Sequence, residues 1–146
     1  MTTCPLCEAA ARTPGDDWMV LADLARCVVR LGENQGLPGW CVLVLKDHRE
    51  HLHELDGRDQ AAIFEDVARV GRAVASVVRP RRINYECLGN VEPHIHWHVI
   101  PRAEDDPEPR APVWGWPPDR LRGSMPEHER RALAGRIREA LGAAGR

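Results

Sequence analysis

The sequence predicts an α+β domain: an antiparallel sheet of about five strands, one long helix packed against it, and a second helix at the C-terminus. Three observations carry this. Short runs of β-forming residues recur over 18–21, 26–31, 40–45 and 83–88. Between about Asp59 and Val78, apolar Ile63, Val67, Val70, Val74 and Val77 fall at helical spacing. His94, His96 and His98 alternate with Ile95, Trp97 and Val99, which is the period of a strand.

Composition narrows the class. At 146 residues the chain is expected to form a single domain over 1–146, its core over about 4–104 and a proline-rich segment with a C-terminal helix over about 105–146. Hydrophobic residues make up 43% and charged residues 29%, as in an ordinary soluble globule. A net charge of −2 provides no global attraction to nucleic acid or to an anionic membrane, so neither is expected as a partner, and any phosphate binding must be local. No stretch approaches the ~20 apolar residues of a membrane span. The first residues lack the basic-then-apolar pattern of a secretory leader. Five cysteines is an odd number, and a chain of this size does not need disulfides, so the cytoplasm is the expected address.

Taken in order, the chain opens with Cys4-Pro5-Leu6-Cys7 and a short helical turn. A Cys-x-x-Cys pair is the usual half-site of a tetrahedral zinc centre, with histidines the available stock for the other half. A redox pair and two stray thiols are the competing readings. Two short strands follow over 18–21 and 26–31, then a glycine-rich loop over 32–39. The unbroken apolar run over 40–45 reads as a strand buried on both faces, with Cys27 and Cys41 as small core residues. His48 follows this strand, and His51 and His53 read as surface residues. Asp56 or Asp59 can cap the long helix, and Arg79-Pro80 can end it. The strand over 83–88 should form a hairpin with the histidine strand, which proline delimits at Pro93 and near Pro101.

Beyond Arg102 the prolines exclude regular structure over 105–112. Trp114 and Trp116 could stack on a base, but packing is the expected role. A last helix is predicted over 126–141, with Pro126 in its first turn and Ser124 as its cap.

Same-face residues on a strand lie ~6–7 Å apart, so the three imidazoles are expected in a row. Such a row can bind a metal, or its middle ring can attack as a nucleophile while its neighbours hold a charged substrate. A solvated edge-strand face is the bland alternative.

The pattern His-apolar-His-apolar-His-apolar-apolar at His94 to Ile100 resembles the signature of the histidine-triad nucleotide hydrolases and transferases. Cys4 to Cys7, Leu88 to Asn90 and Pro93 to Arg102 together resemble the bacterial branch described as diadenosine tetraphosphate hydrolase-like. The resemblance implies His96 as nucleophile, His98 as donor to a nonbridging phosphate oxygen, and Asn90 at the leaving-group or phosphate oxygens, with Asn84 a further substrate contact. It implies a structural zinc on Cys4, Cys7, His48 and His94, and leaves room for a divalent metal accompanying the nucleotide. Its ribose contact falls near the 32–40 loop, where Glu33 and Asn34 are the candidates. A purine nucleotide is then the substrate and a homodimer the expected assembly. Histidine rather than glutamine at the third position favours hydrolysis over transfer to a sugar phosphate. Two readings compete: a metal-dependent hydrolase or oxygenase using the histidine row with Glu86 or Glu92, and a non-catalytic nucleotide-binding module.

Overall fold

The computed structural model describes residues 3–143. Five antiparallel strands form one sheet: β1 (Val20–Asp23), β2 (Cys27–Leu31), β3 (Cys41–Leu45), β4 (Arg82–Glu86) and β5 (His96–Arg102), in the order β1-β2-β3-β5-β4. The helices are α1 (Pro5–Ala10), α2 (Gly57–Val78), α3 (Pro118–Arg122) and α4 (Glu127–Ala143). This is the predicted α+β architecture, with the histidine strand β5 inside the sheet between β3 and β4.

Helix α2 forms because its apolar positions repeat at helical spacing and its ends are marked. Asp56 caps the first turn, accepting from the Asp59 backbone N–H at 2.9 Å, and Arg79 leaves the helix in a left-handed conformation (φ 53°). Its buried stripe of Ile63, Val67, Val70 and Val74 packs on Cys27, Val29, Leu31, Cys41, Leu43, Leu45 and Val99 of the sheet. Each such fully buried side chain contributes about 1.5–3 kcal/mol. Leu133, Ala134, Ile137 and Leu141 of α4 join the same core. Both Cys27 and Cys41 are fully buried, as expected of small core residues, and burial pushes each thiol up to about 12.

The opposite face of the sheet carries His96 and His98, in register with Val44 and Val42 of β3. Part of it is covered by the segment after β5. Val113 and Trp116 pack with Leu37, Trp40 and Ile100 in a second, smaller core. The proline-rich segment is therefore built into the domain, and it contains a 3-10 turn (Val113–Gly115) and α3, which its proline content hid from sequence reasoning.

Three expectations need correction. The histidine strand ends near Pro101, at Arg102, as expected, but it begins at His96 and leaves His94 outside it. β3 begins at Cys41, opposite Val99, so Pro101 lies beyond the β3–β5 pairing and its missing N–H breaks no bond of that ladder. The hairpin of β4 and β5 is antiparallel, but residues 87–95 make a long connection in place of a tight one. The last helix begins at Glu127, and the carbonyl of Pro126, not the side chain of Ser124, takes its first bonds, from Glu129 and Arg130.

Candidate functional site

The three histidines do not form one row. His94 precedes the strand, is fully buried, and turns its ring toward His48, 4.9 Å away between centroids. His96 and His98 remain neighbours on β5, with ring centroids 5.1 Å apart. The run therefore divides into a metal-type cluster and a pair of neighbouring rings.

In the cluster, the ligand atoms of Cys4, Cys7, His48 and His94 all lie within 4.8 Å of one another. Nδ1 of His94 is 3.4 Å from Cys4 Sγ and 3.6 Å from Cys7 Sγ, and Nδ1 of His48 is 3.3 Å from Cys7 Sγ. A tetrahedral centre with metal–sulfur bonds of ~2.3 Å and metal–nitrogen bonds of ~2.0 Å separates sulfur from nitrogen by ~3.5 Å, so the donor set fits such an ion. The Nε2–H of His94 donates to the Leu45 carbonyl at 2.8 Å, which leaves Nδ1 as the lone-pair donor facing the thiols. Pro5 at the first position of α1 sets the chain direction between the two cysteines. Burial lowers the His94 pKa and raises that of Cys7; a cation between them would oppose the second effect by favouring thiolate.

His96 and His98 are each oriented by a specific partner. Nδ1 of His96 lies 2.7 Å from the His94 carbonyl. A carbonyl only accepts, so Nδ1 carries the proton and Nε2 of the neutral ring presents a lone pair. Nδ1 of His98 accepts from the indole Nε1–H of Trp40 at 3.1 Å. His98 is thus held as the Nε2–H tautomer, and burial, followed by the repulsion a protonated His96 would exert, depresses its pKa to about 4. It is neutral near pH 7 and offers a single proton.

Trp40 was read from the sequence only as part of an apolar run. No local pattern marks it, because its role depends on the register that places Cys41 beside Val99. Gln35, another residue the sequence did not single out, holds it in place. Buried Gln35 donates to the carbonyls of Gly32 and Trp40, each at 2.9 Å, and accepts from the Gly39 N–H. Gly39 (φ 94°) is needed there, since a Cβ would fall 2.6 Å from Val78. Trp114 closes the far side, its ring centroid 5.0 Å from His98 and 5.5 Å from Trp40, while its indole N–H donates to Glu86. Trp116 is packed, as expected, with the Arg120 guanidinium 3.4 Å above its ring.

Other sequence candidates are placed as follows. Asn84 on β4 accepts at Oδ1 from the Arg102 guanidinium at 2.9 Å, and Asn90 is exposed on the 87–95 connection. Glu33 pairs with Arg130 of α4 at 3.5 Å, Asn34 is half-buried on the same loop, and His51 and His53 are exposed. Glu92 contributes its carbonyl to the His94 N–H, and Glu86 is engaged by Trp114. Neither acid joins the histidines in a metal-type group among the described residues. No described helix is long and apolar enough to cross a membrane.

Comparison with known proteins gives a consistent picture. The HIT domain family matches residues 16–105. Among solved structures, a histidine-triad protein from Sinorhizobium meliloti is 32% identical, with a TM-score of 0.74 over 83% of this chain and 87% of its own. A zinc-bound histidine-triad family protein from Mycobacterium smegmatis is similar in fold at 19% identity, with a TM-score of 0.70 over 97% and 94% of the two chains. Diadenosine triphosphate hydrolase from Plasmodium falciparum is similar in fold at 15% identity, with a TM-score of 0.65 over 88% and 79%. No curated protein matches the chain.

Proposed function

The chain belongs to the HIT domain family, and from that premise we propose that it hydrolyses an adenosine nucleotide anhydride or phosphoramidate through a covalent nucleotidyl-histidine. The observation that carries this reading is the His94 carbonyl 2.7 Å from Nδ1 of His96, which aims the Nε2 lone pair of His96 away from the backbone. Nε2 attacks the α-phosphorus, a P–N bond forms, and the P–O or P–N bond to the leaving group breaks with its electron pair. A polyphosphate leaves as the anion, whereas an amine must also take up a proton. Water then attacks the same phosphorus, the histidine leaves as the neutral ring, and nucleoside monophosphate is released.

Neutral His98 donates its Nε2–H to a nonbridging oxygen, where negative charge grows in the transition state. Its burial supports this role, because a fixed donor in a water-poor site needs little reorganisation. Asn90 reaches the leaving-group oxygens from the 87–95 connection. Cys4, Cys7, His48 and His94 would hold zinc. The ion would supply a cross-link between the N-terminus, the loop after β3 and the triad strand, and so fix the carbonyl that orients His96.

The diadenosine tetraphosphate hydrolase-like branch is the placement that Cys4 to Cys7 and Leu88 to Asn90 support. The reading includes a homodimer. β4 is a sheet edge, and Tyr85 on it and Phe64 on α2 are 47% and 49% exposed, a surface that a second copy would cover.

The test is intact-protein mass after brief mixing and quenching with diadenosine tetraphosphate or an adenosine phosphoramidate. Wild type should gain an adenylyl increment that His96→Ala does not. No increment and no AMP release with either compound would refute the hydrolase.

A further inference from the structure

On the triad face, residues Arg82, Asn84 and Glu86 of β4 share one side, each ~6–7 Å from the next. Glu86 stands opposite His98 in the register, so this row leads outward from the reactive pair. It forms one wall of a groove whose other wall is the segment 109–112. Cavities of about 410 and 500 Å³ along this groove share Arg82, Asn84, Arg102, Pro109 and Arg110.

We propose that this groove is a subsite for a phosphate chain, holding a leaving group that carries two or more phosphates beyond the bond that breaks. The groove is built, not incidental. Arg102, buried to 5% exposure, donates to Asn84 Oδ1 at 2.9 Å, to Asp106 at 2.5 Å, and to the carbonyls of Ala111 and Glu108 at 2.8 Å each. It fixes the outer wall at its distance from β4. It also sets the Asn84 amide, whose oxygen must face the guanidinium, so the NH₂ group remains free to donate.

The charge balance favours an anion. Arg81, Arg82 and Arg110 line the groove, are exposed, and make no salt bridge among the described residues. Asp106 is paired with Arg102 and Glu108 with Arg120, and although Glu86 keeps its charge against a neutral indole donor, Arg81, Arg82, Arg102 and Arg110 outnumber Glu86 and Asp106 in the lining. Arginine forks match phosphate oxygens in geometry as well as charge. A neutral or singly charged leaving group, such as the amine of a phosphoramidate, has nothing to place against them.

The direction of this subsite, outward from His96, rests on the hydrolase reading; the binding of a phosphate chain does not. The experiment is calorimetric titration of the full chain with inorganic tripolyphosphate, in wild type, His96→Ala, the double variant Arg82→Gln/Arg110→Gln, and Arg58→Gln as a control on α2. Wild type, His96→Ala and Arg58→Gln should bind alike, and the double variant about tenfold or more weakly. Absence of binding, or equal binding by the double variant, overturns the subsite. A second arm measures KM for an adenosine substrate with a triphosphate leaving group. A rise of about tenfold in the double variant supports the leaving-group assignment. An unchanged KM overturns that assignment and leaves a site for free polyphosphate. If tripolyphosphate binds as expected but no AMP is ever released, the hydrolase reading has failed and the anion site has not.

Discussion

The indole of Trp40 donates to Nδ1 of His98 at 3.1 Å, so an aromatic residue immediately before β3 dictates which nitrogen of a β5 histidine carries the proton. Trp40→Phe removes that donor while keeping an aromatic ring. We expect kcat to fall about tenfold, the value of one oriented hydrogen bond, with KM changed less. Nitrogen NMR of the imidazoles checks the cause: wild-type His98 should be the Nε2–H tautomer, and the variant a mixture. A variant with unaltered tautomer and undiminished kcat would show that Trp40 only fills space.

The depressed pKa of His98 has a thermodynamic consequence. Its folded value is about 4 against an ordinary 6.5, so the unfolded chain takes up a proton before the folded one does. That contribution is fully present above pH 6.5 and is lost as the pH falls from there through about 4, amounting to about 3 kcal/mol. His94 shifts in the same direction and adds to the slope when no metal is bound. Urea midpoints between pH 7 and pH 4.5 should fall steadily in wild type and less steeply in His98→Asn. Parallel slopes would be inconsistent with a neutral, desolvated His98.

Elemental analysis of the purified protein should find about one zinc per chain, held by Cys4, Cys7, His48 and His94. Removing it with a strong chelator should lower Tm by about 10 °C or more, since a tightly held ion contributes about 4 kcal/mol of linkage. Cys7→Ser should reproduce the loss without chelator. His51→Ala, which changes an exposed ring outside the cluster, should not.

Arg102 and Asp106 form a buried pair, their side chains only 6% and 1% exposed, and the Arg102 hydrogen bond holds the Asp106 carboxyl below its ordinary range. Arg102→Met leaves that carboxylate unpaired and frees the 108–111 wall. A loss of about 3–5 kcal/mol in unfolding free energy is expected. Adding Asp106→Asn should recover part of it, because the uncompensated charge is then gone. A double variant as unstable as the sum of the single ones would mean the two residues act independently.

Much of this architecture is legible in the chain itself, for reasons that can be assigned residue by residue. The valine and isoleucine spacing of α2 and the alternation around His96 and His98 are periodic, and period is the property that sequence exposes most directly. Cys4-x-x-Cys7 announced a half-site by spacing alone. What remained hidden depended on contacts between distant parts of the chain. Pro101 suggested a strand end, but the length of the neighbouring strand decides where its missing N–H points. Strand spacing alone puts His94 in line with His96 and His98, and only the family resemblance sets it apart as a metal ligand. Trp40 and Gln35 carry no signal outside the fold, since their partners lie in other segments. Trp114 was visible as an aromatic beside prolines, yet only the bend of the chain after Arg102 shows which face of the sheet it meets.

Gly36 meets the end of α3 backbone to backbone: its N–H donates to the Leu121 carbonyl at 2.8 Å, and a Cβ on it would lie 1.9 Å from the Arg120 carbonyl. The two halves of this contact are separated by most of the chain. Closing so long a loop costs more chain entropy than the pairing of β2 with β3, whose contacts are close in sequence. During synthesis the histidine strand emerges before the segment that walls it. On the emerging chain the face that carries His96 and His98 is uncovered until Trp114 and the outer groove wall follow it, and α4 completes the core on the other face only after that. A chain ending after β5 would carry His96 and His98 but lack both the wall beside them and the α4 residues that fill the main core.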